Sequence, residues 1–250
     1  VTAIAQRLLD PVARVFGYRF LPKHDVKYQQ EIDLLRRLLG RFKVDLVLDV
    51  GANRGQYRDL LRGPAGFRGQ VVSIEPVPEL VQQLQSRAAT DSRWEIRGCA
   101  LGELPGRAAF NVMSGDVFSS FLTPDATVSS PYGRENAVAR TVEVEVDTLD
   151  RLVPELLQAR SASSLYLKLD TQGFDLKVLA GGRGVLDKVC ALQTELSFVP
   201  LYQDMPSWTD TVRYLEDAGF RLSGFSPIAP TTQFPVALEM NGFFVNSRFV

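Results

Sequence analysis

One glycine-bearing turn and a few acids hold most of the chemistry legible in this chain. The turn is Asp49-Val50-Gly51-Ala52-Asn53-Arg54-Gly55, entered from the apolar run Leu46-Val47-Leu48. A glycine turn between a buried strand and a helix lets a ligand approach the backbone at the carboxyl edge of a parallel sheet. Dinucleotides use it as G-x-G-x-x-G, where the middle glycine lets pyrophosphate lie against the main chain. Here the middle position is Asn53, so a side chain stands where the pyrophosphate would lie, and no Gly-Lys-Ser/Thr loop occurs. That reads against both a dehydrogenase and a P-loop protein. The bland alternative is a turn that only permits close strand–helix packing. Glu75 closes the next apolar run, where an acid can accept hydrogen bonds from both hydroxyls of a ribose; otherwise it is an exposed capping carboxylate before Pro76.

Two further acids sit where strands should end. Asp170 follows Leu165-Tyr166-Leu167-Lys168-Leu169, and Glu195 lies near the end of Val189 to Leu196. Adjacent parallel strands would bring them to one edge. There they could raise one another's pKa and supply a base, or chelate a divalent cation such as Mg²⁺ that orients and acidifies an acceptor diol. Asp170 could instead cap the following helix or touch a cofactor, and Glu195 could pair with a buried Lys or a backbone amide. Lys168 is expected to pack or pair on the opposite face. Histidine is the commonest general base, but the only one, His24, lies in the N-terminal segment and reads as a surface or packing residue.

The elements that must position these groups follow from the hydrophobic pattern. Val12, Val15 and Phe16 suggest one helical face, and Ile32, Leu34, Leu35, Leu38 and Leu39 another, with Gly40 as a stop. Strands are expected at 45–50, 71–74 and 94–101, with helices at 56–61 and 79–87. Strand followed by helix, repeated, predicts right-handed crossovers and a parallel sheet. Residues 106–147 break the pattern with short alternating runs and a polar stretch, Thr123 to Ala137, which reads as a β-hairpin insertion with a loop near the cofactor edge. Strands resume at 165–170 and 189–196, around a helix at 175–179. A helix at 208–218 and a hairpin over 221–225 and 238–245 finish the chain. The expectation is an α/β, Rossmann-like fold: a mostly parallel seven-stranded sheet with helices on both faces, an antiparallel final hairpin and a β-rich insertion after the third strand.

Asp49-x-Gly51-x-x-x-Gly55 resembles the first motif of Rossmann-like methyltransferases, which accept the ammonium- and sulfonium-bearing methionine end of S-adenosylmethionine. Four blocks make the resemblance specific: Asp49 to Tyr57; Ile74-Glu75-Pro76; Ala100-Leu101-Gly102; and Leu167 to Asp175 with Val178-Leu179-Ala180-Gly181. Together they are similar to the FkbM-type methyltransferase family, as are Glu195 and then Tyr202. The match covers about residues 45 to 205. Asp175 stands where the family usually has Glu. The resemblance implies an O-methyltransferase acting on hydroxyls of sugars, glycans or secondary metabolites. The expected cofactor site is Asp49, Gly51, Ala52, Asn53, Gly55, Tyr57, Glu75, Pro76, Ala100, Leu101 and Asp170, and the strand-end acids Asp170 and Glu195 are the catalytic candidates. Ser119 and Ser120, with Asp116 upstream, are either an acceptor or adenine contact or a polar turn.

Composition bounds the rest. The chain has 250 residues, 28 Lys plus Arg and 29 Asp plus Glu, for a formal net charge of −1. That balance argues against a general grip on nucleic acid. The turn Asp170-Thr171-Gln172-Gly173 also lacks the Asn/Asp-Pro-Pro-aromatic pattern that stacks a flipped base. No run approaches a membrane span. Residues 1–20 do not read as a signal peptide, and Cys99 and Cys190, both in runs read as buried strands, read as free thiols. A cytoplasmic protein is expected, with residues 1–44 as a helical extension and 45–250 as the methyltransferase domain. The extension could cover the acceptor pocket or a homodimer interface. A SAM-fold protein that binds without turnover is the alternative from another class.

Overall fold

The computed structural model describes residues 26–125, 133–228 and 237–250, together with Ala13, Val15 and Phe16. His24, Val12 and part of the polar stretch after Thr123 lie outside the described residues. The elements, in order, are α1 (Val26–Arg41), β1 (Leu46–Val50), α2 (Gln56–Arg62), β2 (Gln70–Ile74), α3 (Pro78–Ala88), β3 (Trp94–Arg97) and β4 (Ala100–Leu101). There follow β5 (Gly106–Met113), β6 (Val138–Asp147), α4 (Leu149–Arg160), β7 (Leu165–Leu169), α5 (Asp175–Ala180), β8 (Val189–Ser197), α6 (Trp208–Asp217), β9 (Phe220–Pro227) and β10 (Glu239–Asn246).

The main sheet has seven strands in the order β3-β2-β1-β7-β8-β10-β9. The first five run parallel, and β10 is antiparallel to both β8 and β9. The order reverses between β1 and β7, and such a switch point opens a crevice beyond the strand ends. Because side chains alternate along a strand, the sheet builds two cores. Leu46, Leu48, Leu165, Leu167 and Leu192 face α4 and α5, which contribute Leu152, Val153, Leu156, Val178 and Leu179. Val47, Val71, Tyr166, Ala191 and Phe243 face α1, α2 and α3, which contribute Leu35, Leu38, Leu61 and Leu84. Fully burying one such side chain stabilises the fold by about 1.5–3 kcal/mol before entropy is counted.

Two differences from the sequence reading have clear causes. The expected third strand does not run unbroken from Trp94 to Leu101. It stops at Arg97, and β4 joins a second sheet of order β4-β6-β5, in which β4 is parallel and β5 antiparallel to β6. This β-rich insertion packs Phe110, Val112 and Val144 against Val77 and Leu80. Helix α4 was not expected at all. Thr148 caps it by accepting Arg151 N at 3.3 Å, and Leu149, Leu152, Val153 and Leu156 form its buried stripe. Pro154 lies inside it, and Ser161 rather than glycine takes the left-handed C-cap, so the usual stop signals are missing. No helix among the described residues is long and apolar enough to cross a membrane.

Candidate active site

A cavity of about 600 Å³ opens beyond the carboxyl ends of β1, β2, β7 and β8. That is within the usual range for a small-molecule site. The turn after β1 forms one wall. Gly51 has φ +77°, and a Cβ there would collide with the Asp170 carbonyl oxygen. Glycine is therefore required twice over, by conformation and by the closeness of the β1 and β7 ends. Ala52, Asn53 and Tyr57 also line the cavity. Gly55 does not; it starts α2 with φ +83°, against Leu84 and Trp94.

Glu75 is 4% exposed and lines the cavity at the end of β2. Its two oxygens accept Asn53 N at 2.8 Å and Val77 N at 2.9 Å. Each oxygen keeps a second lone pair, so the carboxylate is aimed and still able to accept two hydroxyls. Burial pushes its pKa up to about 7, against the pull of those two backbone bonds. Pro76, Ala100 and Leu101 line the adjoining wall with Cys99. Cys99 thus sits at the break between β3 and β4 rather than in a buried strand, and burial lifts its thiol to about 11. Cys190 is buried in β8. Phe110, Phe121 and Phe174 complete an aromatic surface, with ring centroids 5.0 Å and 4.8 Å apart in successive pairs.

Beneath the cavity lies a polar row that the strand register sets out. Ser73 pairs with Asp49, Asp49 with Lys168, and Lys168 with Gln193, across β2, β1, β7 and β8. Asp49 is fully buried below the cavity wall, where Oδ2 accepts Ser73 Oγ at 3.0 Å and Oδ1 lies 3.2 Å from Lys168 Nζ. The oxygen Oδ1 has this ion pair but no well-directed hydrogen bond, so Asp49 anchors the lysine through charge. Lys168 was expected on the opposite face. Instead it lines the cavity, 3.4 Å from Asp170 Oδ2 and 3.2 Å from the Gly51 carbonyl oxygen. Burial alone would discharge it, but the carboxylates of Asp170 and Asp49 outweigh burial and hold its pKa above the ordinary lysine value.

Asp170 and Glu195 do converge, through Gln172. Its Nε2 donates to Asp170 Oδ1 at 2.9 Å and to Glu195 Oε2 at 3.0 Å, while Oε1 accepts the Tyr202 hydroxyl at 3.0 Å. Two carboxylates require a donor, which fixes the amide's orientation. Gln172 has φ +51° and is followed by Gly173 at +86°, a turn held by Ser120 Oγ donating to the Gln172 carbonyl oxygen at 2.8 Å. Of the two readings of this pair, a base or a Mg²⁺ site, the Mg²⁺ is not supported: the Gln172 amide nitrogen bonds both acids, and the described residues contain no cluster of three His, Cys, Asp or Glu ligands. Glu195 is half-buried, and burial, then Glu239, Asp170 and Asp175, raise its pKa well above the carboxylate range. The Asp170 side chain is 42% exposed toward the cavity. Asp175 is buried and binds Thr171 N at 2.8 Å, the Thr171 hydroxyl, Thr194 Oγ1 at 2.6 Å and Glu195 N at 3.2 Å. It therefore fixes both strand ends at once.

Ser119 and Asp116 line the cavity mouth, where Asp116 pairs with Arg54 at 2.6 Å. Ser120 is fully buried and structural. Sequence reasoning missed Gln172, Phe174, Gln193, Asn241 and, on α1, Tyr28 and Glu31, all of which line the cavity. Only the order of blocks around Asp170 drew attention to Gln172 and Phe174.

The lining acids are Glu31, Asp59, Glu75, Asp116, Asp170 and Glu195, against Lys168 as the one lining base among the described residues. Such a site suits a ligand with positive charge and a ribose, and repels a pyrophosphate. A family model for the methyltransferase FkbM domain matches residues 49–222. The chain belongs to the FkbM methyltransferase family. No curated protein matches it in sequence. Among solved structures, this FkbM-family chain resembles in fold the methyltransferase FkbM from Methylobacillus flagellatus KT, with a TM-score of 0.52 and 16% identity over 95% of this chain and 70% of that one. Weaker likenesses are magnesium protoporphyrin IX methyltransferase from Synechocystis with bound SAM (TM-score 0.47, 14% identity, 98% of this chain and 96% of that one) and fibrillarin from Aeropyrum pernix with natively bound S-adenosyl-L-methionine (0.45, 13%, 87% and 74%). The FkbM chain thus has the fold and family of SAM-dependent methyltransferases, and its acid-rich cavity fits a sulfonium- and ammonium-bearing cofactor.

Proposed function

We propose that this chain methylates a hydroxyl group of a sugar, glycan or secondary metabolite. The observation that carries this reading is Asp170, a cavity-lining acid held between Lys168 and Gln172 at the switch point of the sheet. S-adenosylmethionine supplies, when bound, a methyl carbon already activated by its sulfonium. Glu75 would receive the ribose hydroxyls, the main chain of Gly51 to Asn53 and Asp170 would meet the methionine end, and Pro76, Ala100 and Leu101 with Phe174 would flank the adenine. Tyr57 closes the floor beside Lys168, 5.3 Å from ring centroid to ammonium.

An alcohol is a poor nucleophile and profits from losing its proton as it attacks. Asp170 is the group to accept that proton, because its carboxylate lines the cavity and is held in place by Lys168 and Gln172. Lys168 itself keeps its proton and is a positioning residue, not a base. Glu195, whose pKa burial and the neighbouring acids raise well above the carboxylate range, is placed to hydrogen-bond an acceptor oxygen next to the reacting one. Gln172 fixes the spacing between the two acids, and much of the acceleration comes from alignment.

The test is release of S-adenosylhomocysteine over a panel of glycans and glycosides, with the methylated atom located by NMR. Methyl on oxygen is expected; methyl on nitrogen, carbon or a nucleobase would refute the reading. In Asp170→Asn, kcat should fall about 10²- to 10⁴-fold, well beyond any accompanying loss of cofactor affinity. Full turnover in that variant would remove Asp170 as the base.

A further inference from the structure

Three cavity-lining carboxylates take no part in the transfer chemistry; Asp59 and Asp116 pair with Arg87 and Arg54, and Glu31 has no such partner among the described residues. Glu31, on α1, is 8% exposed and faces the cavity. Its Oε1 accepts Gln193 Nε2 at 2.9 Å and lies 3.5 Å from Asn241 Nδ2. Both partners are neutral amides, and Oε2 accepts from no described residue. No Lys or Arg among the described residues forms an ion pair with Glu31, because Lys168 is already held by Asp49 and Asp170. A buried carboxylate without a cation is costly, which is why burial raises its pKa against the help of Gln193 and the more distant Lys168. Glu195 lines the same cavity, paired across the sheet with the Asn241 that lies beside Glu31. That end of the cavity therefore holds a buried carboxylate, Glu31, with one oxygen unmatched among the described residues.

We infer that the acceptor is a polyol bearing a protonated amine, of the amino-sugar class, whose ammonium pairs with Glu31 while a neighbouring hydroxyl faces Asp170. This deepens the reading above and rests on it. A phosphate or carboxylate on the acceptor would meet Glu31 and Asp170 with one lysine, already shared with Asp49, to offset them. An amine meets a site with its countercharge already buried and aimed, so little ordering is needed on binding. Glu31 is thus a specificity-determining residue, supplied by the helix that precedes the sheet.

The experiment compares kcat/KM for kanamycin and methyl glucosaminide with their N-acetylated forms and with methyl glucuronide and glucose 6-phosphate. The free amines should exceed their N-acetyl forms by at least about tenfold and the anionic acceptors by more, since a desolvated charge pair is worth 1.4 kcal/mol or above. In Glu31→Gln that preference should collapse to about twofold, through KM rather than kcat, with cofactor affinity unchanged. Glu31→Asp should restore part of it. Equal or better turnover of the N-acetyl or anionic acceptors overturns the inference while leaving hydroxyl methylation intact. No O-methylation of any acceptor overturns the parent reading, and this inference with it. If Glu31→Gln fails to fold, the preference of the unmodified chain decides.

Discussion

Replacing Glu75 by glutamine separates a ribose-holding carboxylate from a structural one. Glu75 is 4% exposed, with each oxygen already taking one backbone N–H. The amide keeps one acceptor oxygen and turns its NH₂ toward either Asn53 N or Val77 N, two donors face to face. One charge-assisted bond to a ribose hydroxyl is then lost, worth about 1.5–3 kcal/mol, so Kd should rise about 10- to 150-fold. Titration calorimetry with 5′-methylthioadenosine is the cleanest assay, because that ligand keeps the ribose and drops the titrating amine of the methionine part. The pH dependence adds a second readout. Burial has raised Glu75 to about 7 in the free chain, and hydroxyl donors favour its ionised form. Binding therefore lowers that pKa and releases a proton. Affinity should weaken as pH falls below 7, by up to about tenfold per pH unit, and level off above. The glutamine variant should show neither slope nor proton release. Binding within twofold of the parent in Glu75→Gln, or a flat pH profile in the parent, would refute the reasoning.

Three further outcomes follow from the same geometry. Lys168→Met leaves Asp49 buried without its cation, which should cost about 3–5 kcal/mol and lower Tm by about 6–20 °C for a chain of this size; a drop under about 2 °C in thermal denaturation would show that the pair carries little. Gly51→Ala forces a Cβ onto the Asp170 carbonyl at a φ of +77°, so calorimetry should show cofactor affinity reduced at least about tenfold, and unchanged binding would mean the two strand ends can separate freely. Extensive chelation with EDTA should leave turnover unchanged, since Gln172 Nε2 sits between the two acids; loss of turnover restored by Mg²⁺ would show that the amide gives way to a cation.

The sequence alone determined the layers and much of the cavity lining. The run Leu46 to Val50 into Gly51, Glu75 before Pro76, and the block from Leu167 to Gly181 each state a local requirement: a strand buried on both faces, a tight turn, an acid at a strand end. Such requirements are written in adjacent residues, so they survive without the fold. Tertiary structure decided what side chains meet. Asp49 and Lys168 are 119 residues apart, and only the register of β1 against β7 makes them neighbours. A shift of one residue would have turned Lys168 to the other face, which is where the sequence reading had placed it. Gln172 was illegible for the same reason: its partners Asp170, Glu195 and Tyr202 come from three separate segments, and its role is set by the space they leave. Glu31 reached the cavity because α1 packs its Leu34, Leu35, Leu38 and Leu39 stripe on the sheet, which swings the neighbouring turn of that helix over the strand ends. Periodicity fixes which face of a helix is buried, but the angle at which it lies on its partner is a property of packing.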